Sequence, residues 1–366
     1  MRQNLNIQAL RAIAALLVVI GHSFYETMMI ASTTGQSTIN YGWFNWGIGV
    51  DIFFVISGFI MVYSSHGLFN QPNGWQTFLV RRLIRIIPLY WLLTTAMIAG
   101  ALVIPSLLNV PLGNWQYIIS SYFFIPAVRA AGEIRPVLSL GWTLNMEMFF
   151  YILFAVALFF PIRYGIAFLT AIMVSLALYG LFIRPEQTHI AFWTQSLVLE
   201  FIFGCLLAVA YLKNIRLGGI SALIICAVGL IGMINIPALS FIAPEAIRWG
   251  IPALLIVSAV ALCTKQVQKP LFFLVALGNA SYSLYLVHPF VLRPLRNIWM
   301  SVVGDTLPLI GFVILAALLS SLVAIVLYRL FEEPSNRFLR DRLLNKKSGT
   351  QAAFPENRSG ITASLR

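Results

Sequence analysis

The chain of 366 residues is 60% hydrophobic and 10% charged, with a mean hydropathy of +0.87, an apolar share far above that of a soluble domain. Its formal net charge of +12 invites a nucleic-acid reading, but the Lys and Arg residues stand at the ends of apolar stretches and build no soluble basic face, so no nucleic-acid partner is expected. Cys205, Cys226 and Cys263 are widely spaced within apolar stretches and suit neither a disulfide framework nor a metal cluster.

In chain order the predicted spans are Asn6 to Tyr25, Gly47 to Ser65, Ile86 to Pro105, Gly141 to Phe160, Tyr164 to Phe182, Trp193 to Leu212, Gly218 to Ile236, Arg248 to Thr264, Leu271 to Leu292 and Thr306 to Leu330. Most reach the length needed for a bilayer core of roughly 30 Å. The first is expected to remain as a helix, because Glu26, Thr27 and Met28 follow it without a small-residue cleavage site. Tyr117 to Ile125 is too short to cross and ends at Pro126, which predicts a re-entrant or interfacial segment. Charge supports this choice: with the N-terminus inside and that segment not crossing, six basic residues (Arg129, Arg135, Arg184, Arg248, Arg293, Arg296) lie outside and 18 of the 24 lie inside, in keeping with the positive-inside rule. The expected fold is an all-α polytopic membrane helix bundle of about ten transmembrane helices with both termini cytoplasmic. Residues 1–335 form the membrane domain, and 336–366 a basic tail that begins as an amphipathic stub and becomes disordered. No inverted repeat of the transporter kind is evident.

Ionisable side chains inside membrane helices are costly and point to function or to inter-helix ties. Arg11 and His22 are eleven residues apart, so they return to nearly one face of the first helix, displaced by about 16 Å along its axis. The alternative is an Arg snorkelling to the interface and a His satisfied by a neighbour. Asp51 and Glu147 could each orient an imidazole for general-base work or tie helices together. Arg81, Arg82 and Arg85 precede Pro88, Tyr90 and Trp91 at a helix start; they suit phosphate binding, or topology marking beside an aromatic belt. Ser281, Tyr285 and His288 share a face, as core or as a substrate wall. His66 and His189 fall near span boundaries, where solvation is expected, and Glu200 is intramembrane. No Walker loop, metal-ligand cluster or Gly-x-Ser-x-Gly elbow occurs, so no metal is expected.

Taken together, Arg11 with His22, Asp51-Ile52-Phe53-Phe54-Val55-Ile56-Ser57-Gly58-Phe59, Arg82-x-x-Arg85 leading to Pro88-Leu89-Tyr90-Trp91, Trp142-Thr143-Leu144 with Glu147, Ser281-Tyr282-Ser283-Leu284-Tyr285-Leu286-x-His288 and Phe331-Glu332-Glu333-Pro334 resemble the acyltransferase type 3 family of bacterial membrane O-acyltransferases. The opening Asn6-Ile7-Gln8-Ala9-Leu10-Arg11 looks most like its exopolysaccharide acetyltransferases. The resemblance implies transfer of an acyl group, usually acetyl, from cytoplasmic acyl-CoA to a sugar hydroxyl of an exopolysaccharide, O-antigen or lipid-linked precursor, in the bacterial inner membrane. Some relatives carry a further hydrolase-like domain after the last helix, for which this chain stops too soon, so it is expected to act alone or with polysaccharide-assembly partners.

On this reading Arg81, Arg82 and Arg85 dock the CoA phosphates and Arg11 lines the entry. His22 acts as base or as transient acyl carrier, with Glu147 or Asp51 orienting its ring. Trp142, Asn145, Tyr285 and His288 contact substrate. The rival readings are a transporter or flippase for lipid-linked saccharides and a non-catalytic scaffold.

Overall fold

Apolar runs deprived of water satisfy their backbone N–H and C=O groups only along their own chain, and helices result. The computed structural model describes residues 5–105, 110, 112–129, 132–234, 243–264 and 272–344. Its helices are α1 (Leu5–Thr34), α2 (Ile48–Ser65), α3 (Gly74–Val103), α4 (Trp115–Tyr122), α5 (Trp142–Ala157), α6 (Ile162–Ile183), α7 (Thr188–Trp193), α8 (Val198–Leu212), α9 (Gly219–Ile231), α10 (Ile251–Leu262), α11 (Phe272–Asn279), α12 (Ser281–Ile298), α13 (Leu309–Leu327) and α14 (Glu333–Leu343). Where described, each predicted span contains a helix, but that over Trp193 to Leu212 is interrupted by turns at residues 194–197, between α7 and α8. Among the described residues, seven helices, counted with the turns that extend them, are long and apolar enough to cross a membrane, while Gly219–Ile231 and Ala246–Leu262 are shorter. Bulky apolar side chains such as Phe182, Ile220, Leu223 and Leu318 face outward, as expected where lipid replaces water as solvent.

Several boundaries differ from expectation. The span predicted over Leu271 to Leu292 is broken at Ala280 into α11 and α12, where Gly278 lies against the backbone of Gln8 so closely that a Cβ would collide with it. Helix α1 runs on to Thr34, because Glu26 is paired with Arg296 of α12 at 2.6 Å and Ser23 and Thr27 donate to the carbonyls of Val19 and Phe24. After α13 a π-helical turn, Tyr328–Glu332, leads without a break into α14, so the helix passes through residue 335. The disorder expected of the tail falls on residues 345–366, outside those described.

Helix α4 does not traverse the bundle. Its 8 residues span about 12 Å, and it packs on the second half of α3, with Tyr90 OH donating to Ser121 O at 2.8 Å and Trp91 Nε1 to Tyr122 O at 3.0 Å. Helix α5 then returns, placing Leu158 O on Asn70 N at 2.9 Å, beside the start of α3. The N-terminal turns of α1 (Gln8, Arg11), the N-terminal half of α3 (Arg81 to Arg85) and the end of α14 line one common opening, so both described ends of the chain lie at the same end of the bundle. In a variant lacking the native cysteines, a Cys at exposed Gln187 is expected to react with an impermeant thiol reagent in intact cells, and one at exposed Asn214 to stay unlabelled. The opposite labelling would invert the bundle in the membrane.

The most extensive helix contact joins α2 to α8. Gly58 of α2 meets the backbone of Phe201 and Cys205, and Gly204 of α8 meets that of Val55 and Phe59. Two glycines facing each other's backbones let the helices touch without side chains between them, the small-residue packing on which membrane helices depend.

Candidate active site

At one end of the bundle the arginines converge. Because α3 starts at Gly74 rather than near Ile86, Arg81, Arg82 and Arg85 sit in its second and third turns and not at its first. That places Arg82 and Arg85 on one face, as i,i+3 neighbours are. Arg82 is buried, with Nη2 donating to Ser64 Oγ at 2.9 Å and its guanidinium 5.7 Å from the Phe78 ring centroid. Arg11 on α1 donates from Nη1 to Gln8 Oε1 at 3.0 Å. These side chains border two adjoining cavities. The mouth, about 510 Å³, is lined by Arg11, Arg81, Arg82, Arg85, Glu332 and Arg340 among others. The chamber, about 300 Å³, shares Gln8, Arg11, Arg82 and Arg85 with it and continues between the apolar walls of Phe53, Phe54, Phe59 and Ile60 to Glu147, Thr143 and Tyr285. Guanidinium groups at a mouth ahead of an apolar chamber suit a ligand with phosphates at one end and a less polar arm at the other.

Glu147 is bound on the chamber wall. Its Oε1 accepts from Ser57 Oγ at 2.7 Å and from Tyr151 OH at 2.5 Å, tying α2 to α5. Ser57 stands ninety positions from Glu147, and nothing in their local sequences pairs them. At the far end Thr143 Oγ1 donates to Tyr285 OH at 3.1 Å, and Tyr285 OH donates to Leu140 O at 3.3 Å.

Behind Tyr285 stand the two intramembrane histidines. The rings of Tyr285 and His288 are 6.3 Å apart between centroids, and those of His288 and His22 are 5.0 Å apart. His288 is fully buried, whereas His22 is exposed on the face of α1. His22 Nδ1 lies 2.9 Å from Val18 O, and His288 Nδ1 lies 3.1 Å from Leu284 O. A carbonyl only accepts, so in both rings the Nδ1 carries the proton and the Nε2 presents its lone pair. The Nε2 of His288 has no hydrogen-bond partner among the described residues.

This arrangement changes the expected grouping. Among the described residues no hydrogen bond joins His22 to Glu147 or to Asp51; the His22 ring is held by the carbonyl one turn earlier in its own helix. Asp51 is buried against Glu200 across the α2–α8 contact, their carboxyl groups within hydrogen-bonding reach. No donor for either Glu200 oxygen stands among the described residues. Trp142 lies edge-on to Phe54 at 6.3 Å with the Arg135 guanidinium 5.8 Å from its ring centroid, and Asn145 is buried away from the chamber. His66 and His189 are exposed, as their positions suggested. The cysteines are free, and among the described residues no group of His, Cys, Asp and Glu side chains could hold a metal ion.

A helical bundle with several helices long and apolar enough to cross a membrane, an arginine-lined mouth and an apolar chamber describes a multi-pass membrane protein with an internal ligand-sized cavity. Residues 4–329 match the family described as an acyltransferase domain, and the chain belongs to this acyltransferase type 3 family of enzymes that transfer acyl groups. It is 33% identical over 312 residues to the exopolysaccharide production protein ExoZ of Rhizobium meliloti (strain 1021), covering 83% of this chain and 94% of that one. It is 26% identical over 384 residues to the O-acetyltransferase OatA of Staphylococcus aureus (strain NCTC 8325 / PS 47), covering 94% of this chain and 59% of that longer one. No solved structure matches it.

Proposed function

We propose that the protein resides in the bacterial inner membrane and moves an acyl group, acetyl in the simplest case, from cytoplasmic acyl-CoA to a hydroxyl of an exopolysaccharide, O-antigen or lipid-linked sugar precursor. The observation that carries this reading is the sharing of Arg11, Arg82 and Arg85 between a polar mouth and an apolar chamber that ends one ring short of the His288–His22 pair. The CoA phosphates dock on the arginines through charge-assisted bonds, and the pantetheine arm runs along the chamber toward Tyr285. The relation to an exopolysaccharide production protein and to O-acetyltransferases favours a saccharide acceptor.

His22 is the base in this reading. Its Nε2 takes the proton of the acceptor hydroxyl as the oxygen attacks the thioester carbonyl; the carbon–sulfur bond then breaks, and the departing thiolate recovers that proton from His22. Val18 O keeps the ring in the tautomer this requires. Tyr285 and His288 stand between the chamber and His22, so in this reading the acyl end passes their rings to bring the thioester carbonyl and the acceptor hydroxyl to the His22 Nε2. Glu147 acts from the chamber wall by holding Ser57 and Tyr151 in place, and Asp51 acts through its contact with Glu200 on the seating of α2.

Purified protein in detergent should consume acetyl-CoA, release free CoA and acetylate an added glycan extract, and a deletion strain should lose O-acetyl groups from an envelope polysaccharide that its parent retains. Unchanged acetyl-CoA together with movement of lipid-linked sugar across proteoliposomes would instead establish a transporter.

A further inference from the structure

The mouth holds more positive charge than its own carboxylate can answer. Arg11, Arg82 and Arg85 border both the mouth and the chamber, whereas Arg81 and Arg340 border the mouth alone. Glu332 is the carboxylate among these lining residues, and one of its oxygens is occupied by Ser283 Oγ–H at 2.5 Å. Arg81, Arg85 and Arg340 make no side-chain hydrogen bond or ion pair among the described residues. Guanidinium groups gathered around one opening repel one another until an anion enters it.

Arg340 reaches this opening from α14, beyond residue 329, where the family match ends. The π-helical turn Tyr328–Glu332 carries α13 directly into α14, which packs on α3, and π-helical turns of this kind often mark functional positions. Asn336, Arg340 and Leu344, spaced by four, present one face of that segment to the mouth.

We propose that Arg81 and Arg340 form a separate subsite for the terminal monophosphate of the donor, an inference that rests on the acyl-CoA reading above. A donor whose thioester lies in the chamber must trail its phosphates back through the mouth. The diphosphate, nearer the pantetheine arm, meets the arginines shared by both cavities. The ribose phosphate, farthest from the thioester, meets the residues that line the mouth alone. The C-terminal helix is then part of the enzyme's substrate recognition and more than a basic trailing segment.

Calorimetry on the full chain in detergent, with CoA and with dephospho-CoA, tests this, because the two ligands differ only in the ribose phosphate. The wild type should bind CoA about tenfold or more tightly than dephospho-CoA, the size of a charged hydrogen-bonded contact. Arg340→Ala should bind CoA at the dephospho-CoA level and leave dephospho-CoA affinity unchanged, and Arg340→Lys should keep part of the preference. An Arg340→Ala protein that weakens both ligands equally, or neither, would overturn the subsite. So would a variant that keeps the preference for CoA but loses binding to phosphatidylglycerol vesicles, which would assign Arg340 to a lipid headgroup. A wild type that binds neither nucleotide would remove the acyl-CoA reading itself, and this subsite with it.

Discussion

The His22→Gln protein should bind CoA with wild-type affinity and transfer acyl groups some 10²- to 10⁴-fold more slowly, the usual contribution of a positioned proton acceptor. Gln keeps a polar side chain of similar reach, and His22 is exposed on the surface of α1 rather than in the packed core. Arg11 lies about 16 Å along α1 from His22, which separates the binding readout from the chemical one. The measurement pairs calorimetric CoA affinity with glycan acetylation at matched amounts of protein in the membrane. Normal acetylation would end the catalytic assignment of His22. A variant that lost CoA affinity instead would move His22 into the donor site and leave Glu147 as the strongest catalytic candidate.

Gly58→Leu is expected to cost the protein its fold. A Cβ at Gly58 would overlap the carbonyl of Phe201, and the colliding atoms are backbone, which cannot rotate away. The helices must separate along the contact that also brings Asp51 to Glu200, and any shift of α2 also strains the hydrogen bond from Ser57 to Glu147 of α5. Overpacking of a core typically costs about 1–3 kcal/mol, and parting two backbones that touch directly should exceed that range. The expected result is a detergent-solubilised chain that aggregates on size exclusion, while Gly67→Leu, at an exposed turn with open space around it, stays monodisperse. A stable and active Gly58→Leu protein would show that α2 and α8 can part without consequence. Gly204→Leu makes the reciprocal collision and should behave alike.

These results would divide what sequence alone could supply from what required packing. The all-helical character was legible because lipid tolerates so few solutions: a run of some 20 apolar residues must satisfy its own backbone; of the ten spans expected, seven helices among the described residues are long and apolar enough to cross. The non-crossing of α4 was legible for the same reason, its length being insufficient. Arg11 with His22 could be placed on one face from spacing, and Arg82 with Arg85 likewise, since helical periodicity is a local property. The family followed from the ordered motifs, each weak by itself.

Partners between helices were not legible. Glu147 was a candidate to hold His22, yet its oxygen is taken by Ser57 and Tyr151, and the His22 ring is held by Val18 O. Asp51 was another candidate, and it meets Glu200 instead. The arginines lay at a presumed helix start, but α3 begins at Gly74, which sets them within the helix and turns them toward the mouth. Arg340 was assigned to a trailing basic segment, and an unbroken turn at Tyr328–Glu332 brings it back to the same opening. The composition and spacing of the chain therefore determined the solvent, the helices and the face each charged residue occupies. Which faces meet was decided by the tertiary structure, because glycine contacts such as Gly58 with Phe201 and Gly204 with Val55 and breaks such as Ala280 set the rotation and depth of each helix, and side-chain hydrogen bonds form only over the few ångströms that this packing allows.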